Sequence, residues 1–254
     1  MTSDLRSIGL GYDRWQDAIE AAIASDYLSV IGEVRGGQLV RFEDPSGARL
    51  HVLGVEPFAT FAGFAGLTQV TAHVSALDDV LALIEIVEDD PASEKFDQVL
   101  HSVTCALAQS PLLVDEGTQT FEHVNLAALA VDAQVSDNDG SNPQQLRSLG
   151  AEAIVGPKAG TTAPDASVEI SGVINQVNKR TNRLTGQDFW LIHADVPVSI
   201  DILLPAIDDE PEPAPGQIVT GRFLMVGDVI APQGCGDSCG DGGCSCGSGG
   251  CSTH

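Results

Sequence analysis

Five of the six cysteines of this chain, and a histidine, lie in the segment from Ala231 to His254. Thiolates and imidazoles are ligands of soft and borderline metals, so the segment could bind zinc, copper(I) or an iron–sulfur cluster. Between these donors stand only glycine, serine, aspartate and one threonine. Because such residues cannot form a core, we expect this segment, the tail, to be disordered and Cys/Gly-rich. The candidate metal ligands are Cys235, Cys239, Cys244, Cys246, Cys251 and His254.

The spacing of the tail cysteines differs from that of a zinc finger, because it contains no C-x2-C pair and no apolar residue for a small core. Cys244 and Cys246 are separated by one residue and could share a metal or a cluster. The pattern predicts a flexible, exchangeable metal site in which loop entropy tunes the affinity. As an alternative, the tail thiols could act as a tether to a partner or as a redox-sensitive segment.

A second candidate site is a group of basic residues in a predicted hairpin loop, just before an aromatic strand. OB-type barrels use this loop, with aromatic side chains on the adjoining strands, to hold ligands. The alternative is a solvated hairpin tip without a ligand. A small anionic ligand or an acidic loop of a protein partner fits the pattern better than a long nucleic acid. The candidate ligand-binding residues are Lys179, Arg180, Arg183 and Trp190.

The charge balance limits the classes of partner. Thirty-six acidic and twelve basic residues give a net charge of −24, which repels nucleic acid and anionic membranes and attracts cations and basic partners. No apolar run approaches the ~20 residues that span a bilayer, and residues 1–9 lack the apolar stretch of a signal peptide. We therefore expect a cytoplasmic protein with reduced thiols, which favours metal binding over permanent disulfides.

Motifs for catalysis are absent. Gly140 follows a run of turn formers that superficially resembles a calcium loop, but Val135 and Leu146 occupy two of the ligand positions. The internal histidines are scattered with no common spacing, and no nucleophile elbow or paired-histidine zinc motif exists. The sequence identifies no catalytic residue and favours a binding protein over an enzyme.

The elements that must position these groups are mostly strands. An amphipathic helix is predicted after Asp13, with Asp13 as its N-cap and Gln16 completing a capping box. Strands follow at 28–34 and 39–43, joined at Gly36-Gly37, and Asp44-Pro45-Ser46-Gly47 forms a turn. Further strands are expected at 68–76 and 80–87. The segments 96–109 and 124–135 remain open between helix and strand.

The chain is expected to be mostly β, in an α+β arrangement of two β-rich units. Residues 1–135 form an α+β N-terminal domain, 136–166 a linker with a short helix near 144–153, 167–230 a small OB-like barrel or Greek-key sandwich, and 231–254 the tail. Residues 167–230 also resemble the C-terminal half of bacterial proteins of unknown function, in which Asn182 and Thr185-Gly186 precede an aromatic strand. The resemblance implies the fold and no activity.

Overall fold

The computed structural model describes residues 3–156, 159–208 and 210–230. The tail, with all six predicted metal ligands, lies outside these residues. Within them the chain forms thirteen strands and four short helices, so the prediction of a mostly β fold is confirmed. Of these helices, none is long and apolar enough to span a membrane.

The elements follow one another with few long connections. The helices are α1 Ser3–Arg6, α2 Trp15–Ile23, α3 Ser110–Leu113 and α4 Leu149–Val155. The strands are β1 Leu28–Val34, β2 Gly37–Glu43, β3 Ala48–Leu53, β4 Ala59–Phe64, β5 Gln69–Ala76, β6 Leu81–Val87, β7 Val99–Leu107, β8 Gln119–Ser136, β9 Gln144–Ser148, β10 Ser167–Thr181, β11 Asp188–Val196, β12 Val198–Pro205 and β13 Ile218–Val229.

The strands belong to two sheets. Strands β1 to β4 form an antiparallel meander, the N-terminal sheet, and the other nine strands form the large sheet. In the large sheet the long strands β8 and β13 pair antiparallel along almost their whole length, from Ile218 opposite Ser136 to Val229 opposite Val124. This pair connects strands from the first and the second half of the chain.

Hydrogen-bonded pairing closes two five-stranded rings that share β8 and β13. In the first ring the meander β5-β6-β7 meets β13 in parallel and returns through β8 to β5. In the second ring the meander β10-β11-β12 meets β8 in parallel and returns through β13 to β10. Each meander therefore closes on the long strand contributed by the other half of the chain, and the two rings repeat one pairing pattern.

The shared strands are buried on both faces. In β8, Leu126 and Ala128 belong to the cluster that fills the rings, whereas Ala127 and Leu129 belong to a second cluster beneath the N-terminal sheet. Each face removes apolar area from water, at roughly 25 cal/mol per Å². The N-terminal sheet and helices therefore act as a cover for the outside of the rings.

Helix α2 packs one face onto this second cluster, with Ala18 and Ala22 buried. The predicted capping box is wrong: Arg14 is the N-cap residue and no side chain caps the helix. Arg14 instead makes an exposed ion pair in the first turn, in which its Nε lies 3.1 Å from Asp17 Oδ2.

Two of the three turns of the N-terminal sheet reach hairpins of the rings. The β1–β2 turn has positive φ at Arg35 and Gly36, which is the backbone that twisted two-residue hairpins require. Arg35 Nη1 lies 2.8 Å from Asp79 Oδ1, between β5 and β6. The β2–β3 turn contacts the β10–β11 hairpin instead, at the site described below.

Most predicted strands are present, and tertiary pairing decides the open segments. Residues 96–109 and 124–135 contribute strands β7 and β8, because each lies between partner strands that satisfy its backbone. The predicted helix near 144–153 is strand β9 in its first half, paired with β10, and helix α4 afterwards.

Candidate functional site

The predicted basic cluster lies on the β10–β11 hairpin, and the structure divides it between two faces. Lys179 and Trp190 are cross-strand partners, as are Arg180 and Phe189. Lys179 Nζ lies 3.2 Å from Asp188 Oδ2 and 5.3 Å from the centre of the Trp190 ring. Lys179 therefore contacts both Trp190 and Asp188 on one face of the hairpin. Arg180 and Phe189 lie on the opposite face.

Arg180 and Arg183 line a solvent-open cleft of about 390 Å³. The opposite wall is the β2–β3 turn, which contributes Pro45 and Ser46, and Thr181 completes the lining. The turn forms as the sequence predicts, with Gly47 at a φ of +95°. The two walls come from distant parts of the sequence, since Ser46 and Arg180 are 134 residues apart.

Arg180 is fixed by a hydrogen bond and an aromatic ring. Its Nη1 donates to the carbonyl oxygen of Ser46 at 2.7 Å, and its guanidinium carbon lies 5.8 Å from the centre of the Phe64 ring. Phe64 is buried and packs edge-on against Phe189, with the ring centres 6.2 Å apart. A guanidinium held over a ring keeps its remaining N–H groups available to a ligand.

Asp44 fastens the two walls of the cleft together. Its Oδ1 accepts from the backbone N–H of Ser46 at 2.9 Å, and its Oδ2 accepts from the backbone N–H of Arg183 at 3.0 Å. The residue is only 1% exposed. Because its two oxygens accept N–H groups from the two walls, Asp44 serves as a clamp between turn and hairpin.

The Arg183 guanidinium is turned toward Tyr27. A hydrogen bond with the Tyr27 side chain, together with the charges of Tyr27 and Asp44, raises the pKa of Arg183. The guanidinium remains charged in any case. Among the described carboxylates, none lies within 4.0 Å of a charged nitrogen of Arg180 or Arg183.

Ser46 is 7% exposed, and its Oγ is a buried atom without a hydrogen-bond partner among the described residues. A buried hydroxyl without a partner costs roughly 1–3 kcal/mol. The Ser46 Oγ is thus closed off from the cleft, whose charged lining consists of Arg180 and Arg183. Two arginines without a carboxylate partner among the described residues can bind an anion, and the lining contains no pair of nucleophile and base.

The hairpin is held from behind by the N-terminal segment. Asn182 is fully buried and its Nδ2 donates to the carbonyl oxygen of Ile8 at 3.1 Å, while Thr185 Oγ1 donates to that of Gly9 at 2.5 Å. Asn182 Oδ1 accepts from the backbone N–H of Leu184 at 2.9 Å. These contacts keep the loop that carries Arg183 in one conformation.

Sequence reasoning found the two arginines but missed Asp44 and Ser46 as their partners. The only signal at those positions was the Asp-Pro-Ser-Gly turn, which says nothing about what the turn contacts. Phe64 gave no signal, because a phenylalanine in a strand is ordinarily a core residue.

The histidines do not assemble into a site. Three of the described histidines each have a separate partner. His73 contacts Asp97, and His101 contacts the carbonyl of Leu146. His193 contacts Thr68, in the loop before β5, and Asp201. No group of three or more histidine, cysteine or acidic side chains within the described ranges could hold a metal.

A buried charged network joins the N-terminal sheet to the end of β13. Arg49 pairs with Asp228 and also lies 2.8 Å from Glu43 Oε2. Gln109 bonds Asp228 and both backbone groups of Val229, accepting from its N–H at 2.9 Å and donating to its carbonyl at 3.1 Å. The last strand before the tail is thereby fixed to the body.

Comparison with protein-family models, with curated proteins and with solved structures finds no match for this chain.

Proposed function

We propose that this protein binds or handles a soft or borderline metal ion with its C-terminal tail, while the β-rich part serves as a stable acidic body. The observation that carries the proposal is the donor set itself, five cysteines and a histidine with only small or polar residues between them. Zinc, copper(I) and an iron–sulfur cluster are the candidate cofactors. The proposal assumes a reducing compartment such as the cytoplasm, because the thiolate is the ligand.

Two properties of the body support a role as carrier of the tail. The fixed end of β13 gives the tail a defined origin, since Ile230 N–H also donates to the carbonyl of His123 at 2.8 Å. The net charge of −24 raises the local concentration of cations near the protein. Loading and release at the tail would then proceed without unfolding the body.

Metal analysis under anaerobic, reducing conditions tests the proposal. We expect the full-length protein, purified or loaded with zinc or copper(I), to contain stoichiometric metal. The variant with Cys235, Cys239, Cys244, Cys246 and Cys251 all changed to serine should lose it. Cys105→Ala is the matched control and should keep the metal, because Cys105 is a buried strand residue. A full-length protein that binds neither ion would refute metal handling.

A second candidate function is a non-enzymatic interaction module, in which an OB-like barrel binds a protein partner or a small anionic ligand. The specific observation in its favour is the second ring, where a three-stranded meander closes on β8 and β13 in the manner of a small Greek-key barrel. The β10–β11 hairpin is the first loop of that meander, the loop with which OB barrels contact ligands. In this case the tail would act as a tether or as a redox-sensitive segment.

The two candidates make different demands on the tail. A binding partner captured equally by the full-length protein and by the five-serine variant would favour the interaction module. Loss of capture in the five-serine variant would assign the interaction to the tail thiols.

A further inference from the structure

We propose that the cleft between the β2–β3 turn and the β10–β11 hairpin binds a phosphate-class oxyanion through Arg180 and Arg183. This site belongs to the body and is independent of the metal ligands in the tail. It goes beyond metal handling and gives the second candidate function a defined ligand class.

The first argument is the distribution of charge. In this acidic chain, most described cations are paired with carboxylates within 4.0 Å: Arg14, Arg35, Arg41, Arg49, Arg147 and Lys179. Arg6, Lys95, Arg180, Arg183 and Arg222 have no such partner among the described carboxylates, and of these five Arg180 and Arg183 line the cleft. Asp44 is the opposing charge there, but both of its oxygens already accept backbone N–H groups. Two guanidinium groups against one carboxylate leave the cleft with a positive charge that an anion would neutralise.

The second argument is the rigidity of the cleft walls. Arg180 is held over the Phe64 ring and at the Ser46 carbonyl. The Ser46 backbone is already held on both sides, by Asp44 at its N–H and by Arg180 at its carbonyl. Little conformational entropy would therefore be lost when a ligand binds.

The third argument concerns the shape of the ligand. The planar guanidinium fork matches the oxygens of phosphate and sulfate groups better than a point charge does. A cleft of about 390 Å³ has room for such a group together with a small organic moiety. A long polyanion is disfavoured by the field of the whole chain. The ligand class is therefore inorganic phosphate or a small phosphate monoester.

The test uses the full-length protein and two probes, inorganic phosphate and glycerol phosphate, titrated against sodium chloride at constant ionic strength. Binding is followed through the arginine side-chain N–H signals by NMR. We expect Arg183→Gln to weaken binding by about tenfold or more. Lys95→Gln, which removes an exposed charge outside the cleft, should stay within about twofold, as expected of a screened distant charge.

Arg180→Gln requires a separate check, because Arg180 also holds the Ser46 carbonyl. If its melting temperature without phosphate falls, Arg183→Gln decides the question. Tighter binding of glycerol phosphate assigns the site to phosphorylated small molecules, and tighter binding of inorganic phosphate assigns it to the free ion. No binding of either probe, or equal weakening by Lys95→Gln and Arg183→Gln, would overturn the proposal. The five-serine variant should bind phosphate like the unmodified protein, so this result and the metal result are independent.

Discussion

Arg180 Nη1 donates a 2.7 Å hydrogen bond to the carbonyl oxygen of Ser46, and this contact joins the second ring to the N-terminal sheet. Arg35 and Asp79 make the corresponding contact at the first ring. Two of the three turns of the N-terminal sheet thus bind ring hairpins of opposite character, one through an acidic and one through a basic side chain of the hairpin. The sheet therefore fixes the geometry of the proposed anion-binding cleft as well as covering the rings.

His51 should make the protein sensitive to acid. It is 2% exposed, both of its ring nitrogens lack partners, and burial together with Arg49 and Arg41 lowers its pKa to about 3. At a pH between about 3 and the ordinary pKa of about 6.5, the imidazole binds a proton in the unfolded chain but not in the folded chain. Stability is therefore full above about pH 6.5 and falls as the pH drops toward 3, by at most about 1.4 kcal/mol per pH unit.

His51→Leu isolates this contribution, because leucine keeps the position apolar and cannot bind a proton. Urea unfolding at pH 7 and pH 5 should show that the unmodified protein loses up to about 2 kcal/mol more than the variant over that interval. Equal losses in the two proteins would contradict a buried neutral imidazole.

The largely buried ion pair of Arg49 and Asp228 should stabilise the folded protein. Each side chain is 12% exposed, and removing one partner leaves the other with a more exposed or more distant one, Glu43 for Arg49 and Arg41 for Asp228. We therefore expect a cost below the roughly 3–5 kcal/mol of an uncompensated buried charge. We expect Asp228→Ala and Arg49→Met each to lower the free energy of unfolding, and the double variant to lose less than the sum. Arg147→Ala is the control, because this exposed arginine pairs with exposed glutamates, and it should cost less than about 1 kcal/mol. Strict additivity of the first two changes would show that the pair is not coupled.

Gly150 should not tolerate alanine, although it lies in helix α4. A Cβ there would lie 2.1 Å from the carbonyl oxygen of Asp165 and 2.2 Å from Thr104 Oγ1. Glycine to alanine at an exposed helical position stabilises by roughly 1 kcal/mol; here overpacking should destabilise by about 1–3 kcal/mol. Thermal unfolding measures the sign, and Val155→Ala on the exposed side of the same helix should change little. Stabilisation by Gly150→Ala would mean that α4 does not pack on the large sheet in this way.

Cys105 should be unreactive in the folded protein. Its side chain is fully buried in β7, and burial raises the pKa of its thiol, so the nucleophilic thiolate is scarce. Titration with a thiol-reactive disulfide reagent should therefore release one more equivalent after unfolding than before. Cys105→Ala should abolish that difference. A native protein in which all six thiols react at similar rates would contradict the burial of this residue.

Local patterns predicted the elements that depend on nearby residues. The Asp44-Pro45-Ser46-Gly47 turn formed as expected because proline and glycine fix its backbone without help from the rest of the chain. The strands at 28–34 and 80–87 were also predicted correctly, since apolar runs bounded by turn residues favour strands. The capping box at Asp13 is absent: the helix begins one residue later, with Arg14 as its N-cap, and Arg14 pairs with Asp17.

Residues whose environment comes from distant parts of the chain were not predictable. In β11, Ile192 faces the interior of the rings while Leu191 faces the cover formed by the N-terminal sheet. The alternation along the strand gives no hint that both faces are buried. The division of the basic cluster has the same origin, because alternation along β10 and β11 put Lys179 with Trp190 and Arg180 with Phe189.

The sequence by itself determined that this is an acidic, mostly β protein and that its soft-metal donors are concentrated in the tail, because composition and local spacing suffice for both conclusions. Only the tertiary structure decided that two meanders close on each other's long strands and that Asp44 and Ser46 meet Arg180 and Arg183. Hydrogen-bond pairing between strands and the approach of a turn to a hairpin depend on packing across the whole molecule. No local pattern of residues encodes such a contact.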